Sequence, residues 1–176
     1  MHFMPSNKFK VILYYKYVKI DNPDELGADL IAAAVSAIEK YGTPCIILDL
    51  GTATTLTVVN ENREFIGGAI APGLSVSCEA LYNCAPHLPR IKMESPPSII
   101  GTNTIHCMQA GLFSGYAHMI EGLISSIKKE VGEKTKVVAT GGLAGVLAEG
   151  TKALDVVDAD LVLDGIRILY KMNKAQ

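Results

Sequence analysis

No basic run interrupts the 176 residues, in which 16 Lys and Arg stand against 18 Asp and Glu for a net charge of −2. Without a cationic track for a phosphate backbone, nucleic acid is not an expected partner, and a small neutral or anionic ligand stays open. No CxxC pair occurs either: the four cysteines, Cys45, Cys78, Cys84 and Cys107, lie too far apart for a zinc pattern. They read as reduced thiols of a cytosolic protein. No apolar stretch is long enough to span a bilayer, and "VILYY" at 11–15 is flanked by lysines with no small-residue cleavage site. That excludes a signal peptide and a membrane span, and a cytoplasmic location is expected. No internal repeat or low-complexity segment is present.

What is there is a chain with 49% apolar residues, enough for one domain or one domain with a small appendage. Residues 10–20, β-branched and aromatic with lysines between, suit an edge strand. "DNPDELGADLIAAAVSAIEKYG" reads as a helix from about Asp24 to Tyr41, with Leu26, Leu30, Ala33, Ala37 and Ile38 on one face and Gly42 as the stop. Three strands follow at about 45–50, 55–60 and 64–70, the last two joined by a turn at Asn60–Arg63. After a Pro-Gly loop and a helix, "APHLPRIKMESPP" is too irregular for either period. A long helix over about 104–131 holds Gly111, Gly115 and Gly122, whose cost of about 1 kcal/mol each suggests close approach of another backbone. "KVVATGG" is a strand ending in a glycine pair, "LAGVLAEG" a short helix, and "ADLVLDGIRILYKMN" a closing helix expected to turn Leu161, Ile166, Leu169 and Tyr170 inward. The resulting order β-β-β-α-α-β-α-α argues against a plain Rossmann unit, whose helices alternate with every strand.

Chemistry concentrates in "LDLGTATTLTVV" at 48–59. An aspartate at a strand end, Asp49, followed by a turn of glycine and threonines, can hold a cation while backbone N–H groups and hydroxyls hold phosphate oxygens. Gly51 permits the close approach. A tight hairpin with threonines chosen for strand propensity explains the same residues without a ligand. "ATGG" at 139–142 favours the first reading, because it too follows an apolar strand and opens a helix, where a nucleotide meets backbone N–H groups. Asp29, between Ala28 and Leu30, is either a partly desolvated carboxylate suited to general-base work or a solvated helix-face acid. His87, His106 and His118 share no face and read as ordinary surface or packed residues. No Ser-His-Asp or Cys-His order suggests an acyl-enzyme, although Ser75 and Cys78 stay open.

Seven blocks, "NPDELGADLIAAAV", "LDLGTATTLTVV", "GGAIAPGLSVSCEAL", "LPRI", "IGTNTIHCMQAGLFSGYAHMIEGLI", "ATGGLA" and "LVLDGIRILYKMN", occur in the order of the motifs of type III pantothenate kinases, and the chain resembles that family from about Ile20 to Asn173. The resemblance implies an α/β, RNase H-like (actin-like ATPase) domain, its mixed sheet containing three antiparallel strands and flanked by helices. Residues 43–176 would form the C-terminal domain, and 1–42 a remnant of the N-terminal one. It implies transfer of a phosphoryl group from ATP to pantothenate, giving 4′-phosphopantothenate for coenzyme A synthesis. Asp29 is implied as the base; Gly27, Ala28, Asp29, Leu30 and Thr104 as substrate-binding; Gly51, Thr52, Gly141 and Gly142 as ATP-binding; and Asp49 as the ligand of a monovalent cation, K⁺ or NH₄⁺. Mg²⁺ with the ATP and a homodimer with the substrate site near the subunit contact are implied as well. Two departures stand out. Leu30 replaces the arginine that usually closes Gly-Ala-Asp-Arg, and residues 1–20 contain no Asp-x-Gly-Asn-Thr phosphate hairpin. The second departure makes the chain read as the C-terminal part of such an enzyme, inactive by itself. The rival expectation is a truncated homologue that acts only as a binding or dimerisation module.

Overall fold

A computed structural model describes residues 17–174. After a 3-10 turn at Pro23–Glu25, the elements are α1 (Ala28–Tyr41), β1 (Cys45–Leu50), β2 (Ala53–Val59), β3 (Phe65–Pro72), α2 (Leu74–Cys84), α3 (Thr104–Gln109), a π-helical segment (Ala110–Ser114), α4 (Gly115–Val131), β4 (Lys136–Thr140), α5 (Ala144–Ala148), β5 (Val156–Val157) and α6 (Leu161–Lys174). The strands form one mixed sheet in the order β3-β2-β1-β4-β5. β1, β2 and β3 are antiparallel neighbours, while β4 pairs parallel with β1 and β5 parallel with β4. This is the α/β architecture expected, extended by β5, whose two residues are too short to register as a strand in the sequence.

β1 is central because "CIILDL" is apolar on both faces of the pleat, as a strand covered on both sides must be. Ile46, Leu48 and Leu50 face one layer, with Leu74 and Cys78 of α2, Phe113, Tyr116 and Ile120 of the long helix, and Leu147 of α5. Cys45 and Ile47 face the other, with Ala33, Ala34, Ala37 and Ile38 of α1 and Leu161 of α6. α1 is buried on every side from Ile31 to Ile38 rather than on one face. Its alanines let α6 come close: a side chain at Gly165 would strike the backbone of Ala32. Close helix crossing therefore occurs at Gly165 and not where it was expected, since added Cβ atoms at Gly111 and Gly122 would meet nothing within 4 Å and one at Gly115 only its own helix at 3.8 Å. The same seam corrects the inward face of α6. Leu161 and Gly165 are buried, whereas Ile166 and Tyr170 are exposed.

Two helices differ from their expected extents. The chain is extended at Leu26 and Gly27, which separates the 3-10 turn from α1 and sets Gly27 at the helix cap. The long helix widens into π geometry at Ala110–Ser114, a local insertion that hydrophobic periodicity does not reveal. Of the expected edge strand at 10–20, the part before Tyr17 lies outside the described residues. Val18 makes a parallel bridge to Phe65 at the free edge of β3.

Candidate functional site

The carboxyl ends of β1 and β4 lie side by side, so Asp49 pairs with Thr140 on one flank and with Thr55 of β2 on the other. In a parallel-stranded region these ends are where ligands approach, because the connecting turns leave backbone N–H groups uncommitted. Three glycines shape the space around Asp49. Gly141, held at φ 91°, carries the β4–α5 turn over the strand end, and a Cβ there would come within 2.7 Å of Asp49 Oδ1 and of the Leu50 backbone. Gly51 donates its N–H to the Ala53 carbonyl at 3.1 Å, closing the turn. Gly73 donates to the Thr52 carbonyl at 3.0 Å, and a side chain on it would collide with the carbonyls of Gly51 and Thr52. That contact sets the positive N-terminal end of α2 against the 51–52 turn. Beneath the hairpin, Thr54 bonds the hydroxyl of Tyr116 across the buried layer. Burial pushes the Tyr116 hydroxyl pKa up, opposed by that bond.

Asp29 comes to the same place from α1. It stands in the helix's first turn, where the macrodipole favours negative charge, and its carboxylate occupies the space that a side chain at Gly27 would need. Glycine at 27 thus leaves Asp29 room to fold back over it; a larger residue there would turn the Asp29 carboxylate aside. Asp29 is solvent-exposed, which fits the solvated helix-face alternative rather than the desolvated one: Ala28 beside it is exposed as well, Leu30 is half-buried, and burial in the core begins at Ile31. Asp49 is the carboxylate that is partly buried, and its pKa is raised first by that burial and then by the negative charge of Asp29. The two acids are therefore close enough to repel. Among the described residues neither makes an ion pair.

Gly27, Ala28, Asp29, Leu30, Asp49, Gly51, Thr52, Gly141 and Gly142 thus gather at one end of β1. Thr104 does not join them. It opens α3 behind the Asn103 cap, in the layer across the sheet from α1, and lines a groove of about 450 Å³ with Leu81, Leu88 and Cys107. Gly73 was missed as a site residue, although the Pro-Gly pair before α2 was its signal. Thr140 and Thr55 were missed because only strand pairing sets them beside Asp49.

The far end of α1 is built differently. Lys40 bonds Asp158 and, at 2.8 Å, Asp164, while Tyr41 donates to Asp158 at 2.7 Å, tying α1 to the segment that opens α6. Burial pushes Asp158 up, but the bonds from Lys40 and Tyr41 outweigh it and hold the pKa below the usual carboxylate range.

No helix among the described residues is long and apolar enough to cross a membrane. Among solved structures, a Baf family protein from Campylobacter jejuni is similar over 93% of this chain and 73% of its own, with a TM-score of 0.64 at 22% identity, which supports the fold. The family model described as type III pantothenate kinase matches residues 8–126. A type III pantothenate kinase of Halalkalibacterium halodurans is 47% identical over 156 residues, and one of Exiguobacterium sibiricum is 50% identical over 157; each alignment covers 89% of this chain. The chain spans 61% and 62% of the length of those two relatives. With a family model over most of its length and relatives at about half identity, the chain belongs to the type III pantothenate kinase family.

Proposed function

We propose that this chain carries the acceptor base and one phosphate hairpin of an enzyme that moves the γ-phosphoryl group of ATP to the primary hydroxyl of pantothenate, giving 4′-phosphopantothenate at the start of coenzyme A synthesis. The observation that carries this reading is that Asp49, beneath the Gly141 turn, is partly buried and feels the negative charge of Asp29. Phosphoryl transfer has a loose transition state, so positioning and charge neutralisation provide most of the acceleration. The 51–52 turn and the N-terminal end of α2 offer N–H groups to phosphate oxygens, and Gly141 and Gly142 leave room for the adenosine side. Asp29, exposed and without an ion pair among the described residues, accepts the proton of the attacking hydroxyl.

Asp49 fits a cation. It is partly buried and repelled by Asp29, and the Gly141 turn closes over its Oδ1. Among the described residues no three His, Cys, Asp or Glu side chains stand together, so an ion here would take one carboxylate and complete its shell with other oxygens. That set suits K⁺ or NH₄⁺ at Asp49, and Mg²⁺ brought in on ATP. Such ions supply neutralisation of the negative charge gathered at this end of the sheet. A homodimer accords with the placement of Thr104 across the sheet from Asp29, since a second copy could bring its own Thr104 to the site. The exposed glycines of the long helix offer a surface for close contact. The cytoplasm, where ATP and pantothenate meet, is the proposed location.

The rival, an inactive binding or dimerisation module, is opposed by the presence of Asp29, Asp49 and Thr52 in one place. A chimera in which this chain replaces the matching part of the Halalkalibacterium halodurans relative separates the two. Pantothenate-dependent ADP release by the chimera, lost in Asp29→Asn with ATP binding retained, is the expected result. Unchanged turnover in that variant removes Asp29 from the reaction, and a silent chimera with intact ATP binding favours the module.

A further inference from the structure

α6 buries one side against α1 and leaves the other bare. Leu161 and Gly165 are buried, while Leu163, Ile166 and Tyr170 on the opposite side keep 66%, 54% and 57% of their surface exposed. Their spacings, three residues and then four, set them in one stripe along the helix. Large apolar side chains aligned in this way, rather than scattered singly, mark a contact surface. The charges beside the stripe are sorted along its length. Asp160 stands just before the first turn and Lys171 and Lys174 in the last, and none of the three forms an ion pair among the described residues. Arg167, near the middle, is answered by its own Asp164 at 3.0 Å. Lys174 lies over the Tyr170 ring, 4.9 Å from its centroid, so its charge sits at the end of the stripe.

We propose that this face binds a second copy of the chain, α6 against antiparallel α6, about a two-fold axis midway between Leu163 and Tyr170. Such an axis sets Leu163 over Tyr170 of the partner subunit and brings the two copies of Ile166 together at the centre. At a rise of 1.5 Å per residue, Asp160 lies about 10 Å from the axis on one side and Lys174 about 11 Å on the other. Antiparallel pairing therefore brings Asp160 level with Lys174 of the partner subunit, at both ends of the contact. At about 100° per residue the two also fall on one flank of the stripe, about 60° and 20° round from Leu163, and the two-fold keeps that flank common to both copies. A parallel pairing would set like charge on like at each end. Charge complementarity thus selects both the occupant and its orientation. The contact is separate from the one proposed around Thr104, because α6 packs with α1 in the opposite layer. A single helix pair buries less than the roughly 800 Å² per partner of a stable interface, so the association is weak and concentration-dependent.

Sedimentation equilibrium of the chain over about a hundredfold range of concentration tests this directly. The average mass is expected to double across the range, and Ile166→Glu to abolish the doubling. Asp160→Lys and Lys174→Asp should each weaken the association severalfold. The double variant, which restores opposite charges at both ends, should recover it to within about twofold of the unaltered chain, a rescue that loss of folding or non-specific stickiness would not give. Where circular dichroism shows that Ile166→Glu has lost its helices, the charge-reversal series decides alone, since it alters only exposed side chains. A constant mass across the range, a doubling that survives Ile166→Glu in a folded chain, or a double variant no tighter than its weaker parent would overturn the proposal.

Discussion

The two ends of α1 hold two acids each, arranged to opposite effect. At the C-terminal end, Asp158 and Asp164 share Lys40, Asp158 also accepts from Tyr41, and Asp164 pairs with Arg167 at 3.0 Å, so two cations answer two carboxylates within the chain. At the N-terminal end, Asp29 lies near enough to Asp49 for its charge to help raise the Asp49 pKa, and neither acid forms an ion pair among the described residues, whereas Asp158 and Asp164 are lowered. One pair of carboxylates fastens helices together, and the other keeps charge uncompensated where a cation and phosphates are proposed to come. Uncompensated charge costs stability in the free protein, which is a recurrent mark of a functional site.

The widest separation between the two ends should be seen in turnover. In the chimera, Asp29→Asn is expected to lower kcat by about two to four decades, because an amide cannot take the proton, while ATP affinity holds. Asp158→Asn in the same chimera should leave kcat within a fewfold of its parent; a larger fall would dissolve the distinction. Next in size, Asp49→Ala should remove most activity together with its dependence on potassium over sodium, and equal rates in the two salts before substitution would count against a cation at Asp49.

Stability should respond in the reverse sense. Asp158→Ala is expected to destabilise the chain by about 1–2 kcal/mol in urea titration, a solvent-screened figure for the loss of its bonds to Lys40 and Tyr41. Because the Asp158 and Asp164 pKa values are lowered on folding, their contribution is present above the ordinary carboxylate range and lost as pH falls through the folded values. The smallest expected effect has the opposite sign. The Asp49 pKa is raised on folding, so its contribution is present below the ordinary range and lost as pH rises through the folded value. Asp49→Asn should therefore raise Tm by about 2–4 °C at pH 7, a gain that shrinks toward pH 4. A drop in Tm at pH 7 would show that Asp49 is already compensated.

Much of the site could be read in the sequence because its parts are local. Gly-Ala-Asp, Asp-x-Gly-Thr and Ala-Thr-Gly-Gly each set an acid or hydroxyl beside a glycine, and the structure gives a steric task to Gly27 and Gly141, whereas a Cβ at Gly51 would meet only ordinary contacts at 3.6 Å and beyond. Gly73 escaped because its partner carbonyls, on Gly51 and Thr52, are some twenty positions away and belong to another turn. The inward face of α6 was misread for a similar reason. Leu161, Ile166 and Tyr170 make a plausible apolar stripe by period, but the neighbour is the alanine-rich α1, and a helix packs closest through its smallest residue, Gly165.

By itself the sequence determined the order of the main strands and helices, though not β5 or the π-helical segment, the both-faced burial of β1 through "CIILDL", and which acids stand next to glycine, since these follow from apolar pattern and from backbone chemistry within a few residues. Only the tertiary structure decided that Asp29 and Asp49 meet, that Thr104 lies across the sheet from them, and that Lys40 answers Asp158 across the α1–α6 contact. Those are relations between segments brought together by strand pairing and helix packing, and no periodicity along the chain encodes the distance between two charges that burial in a shared layer creates.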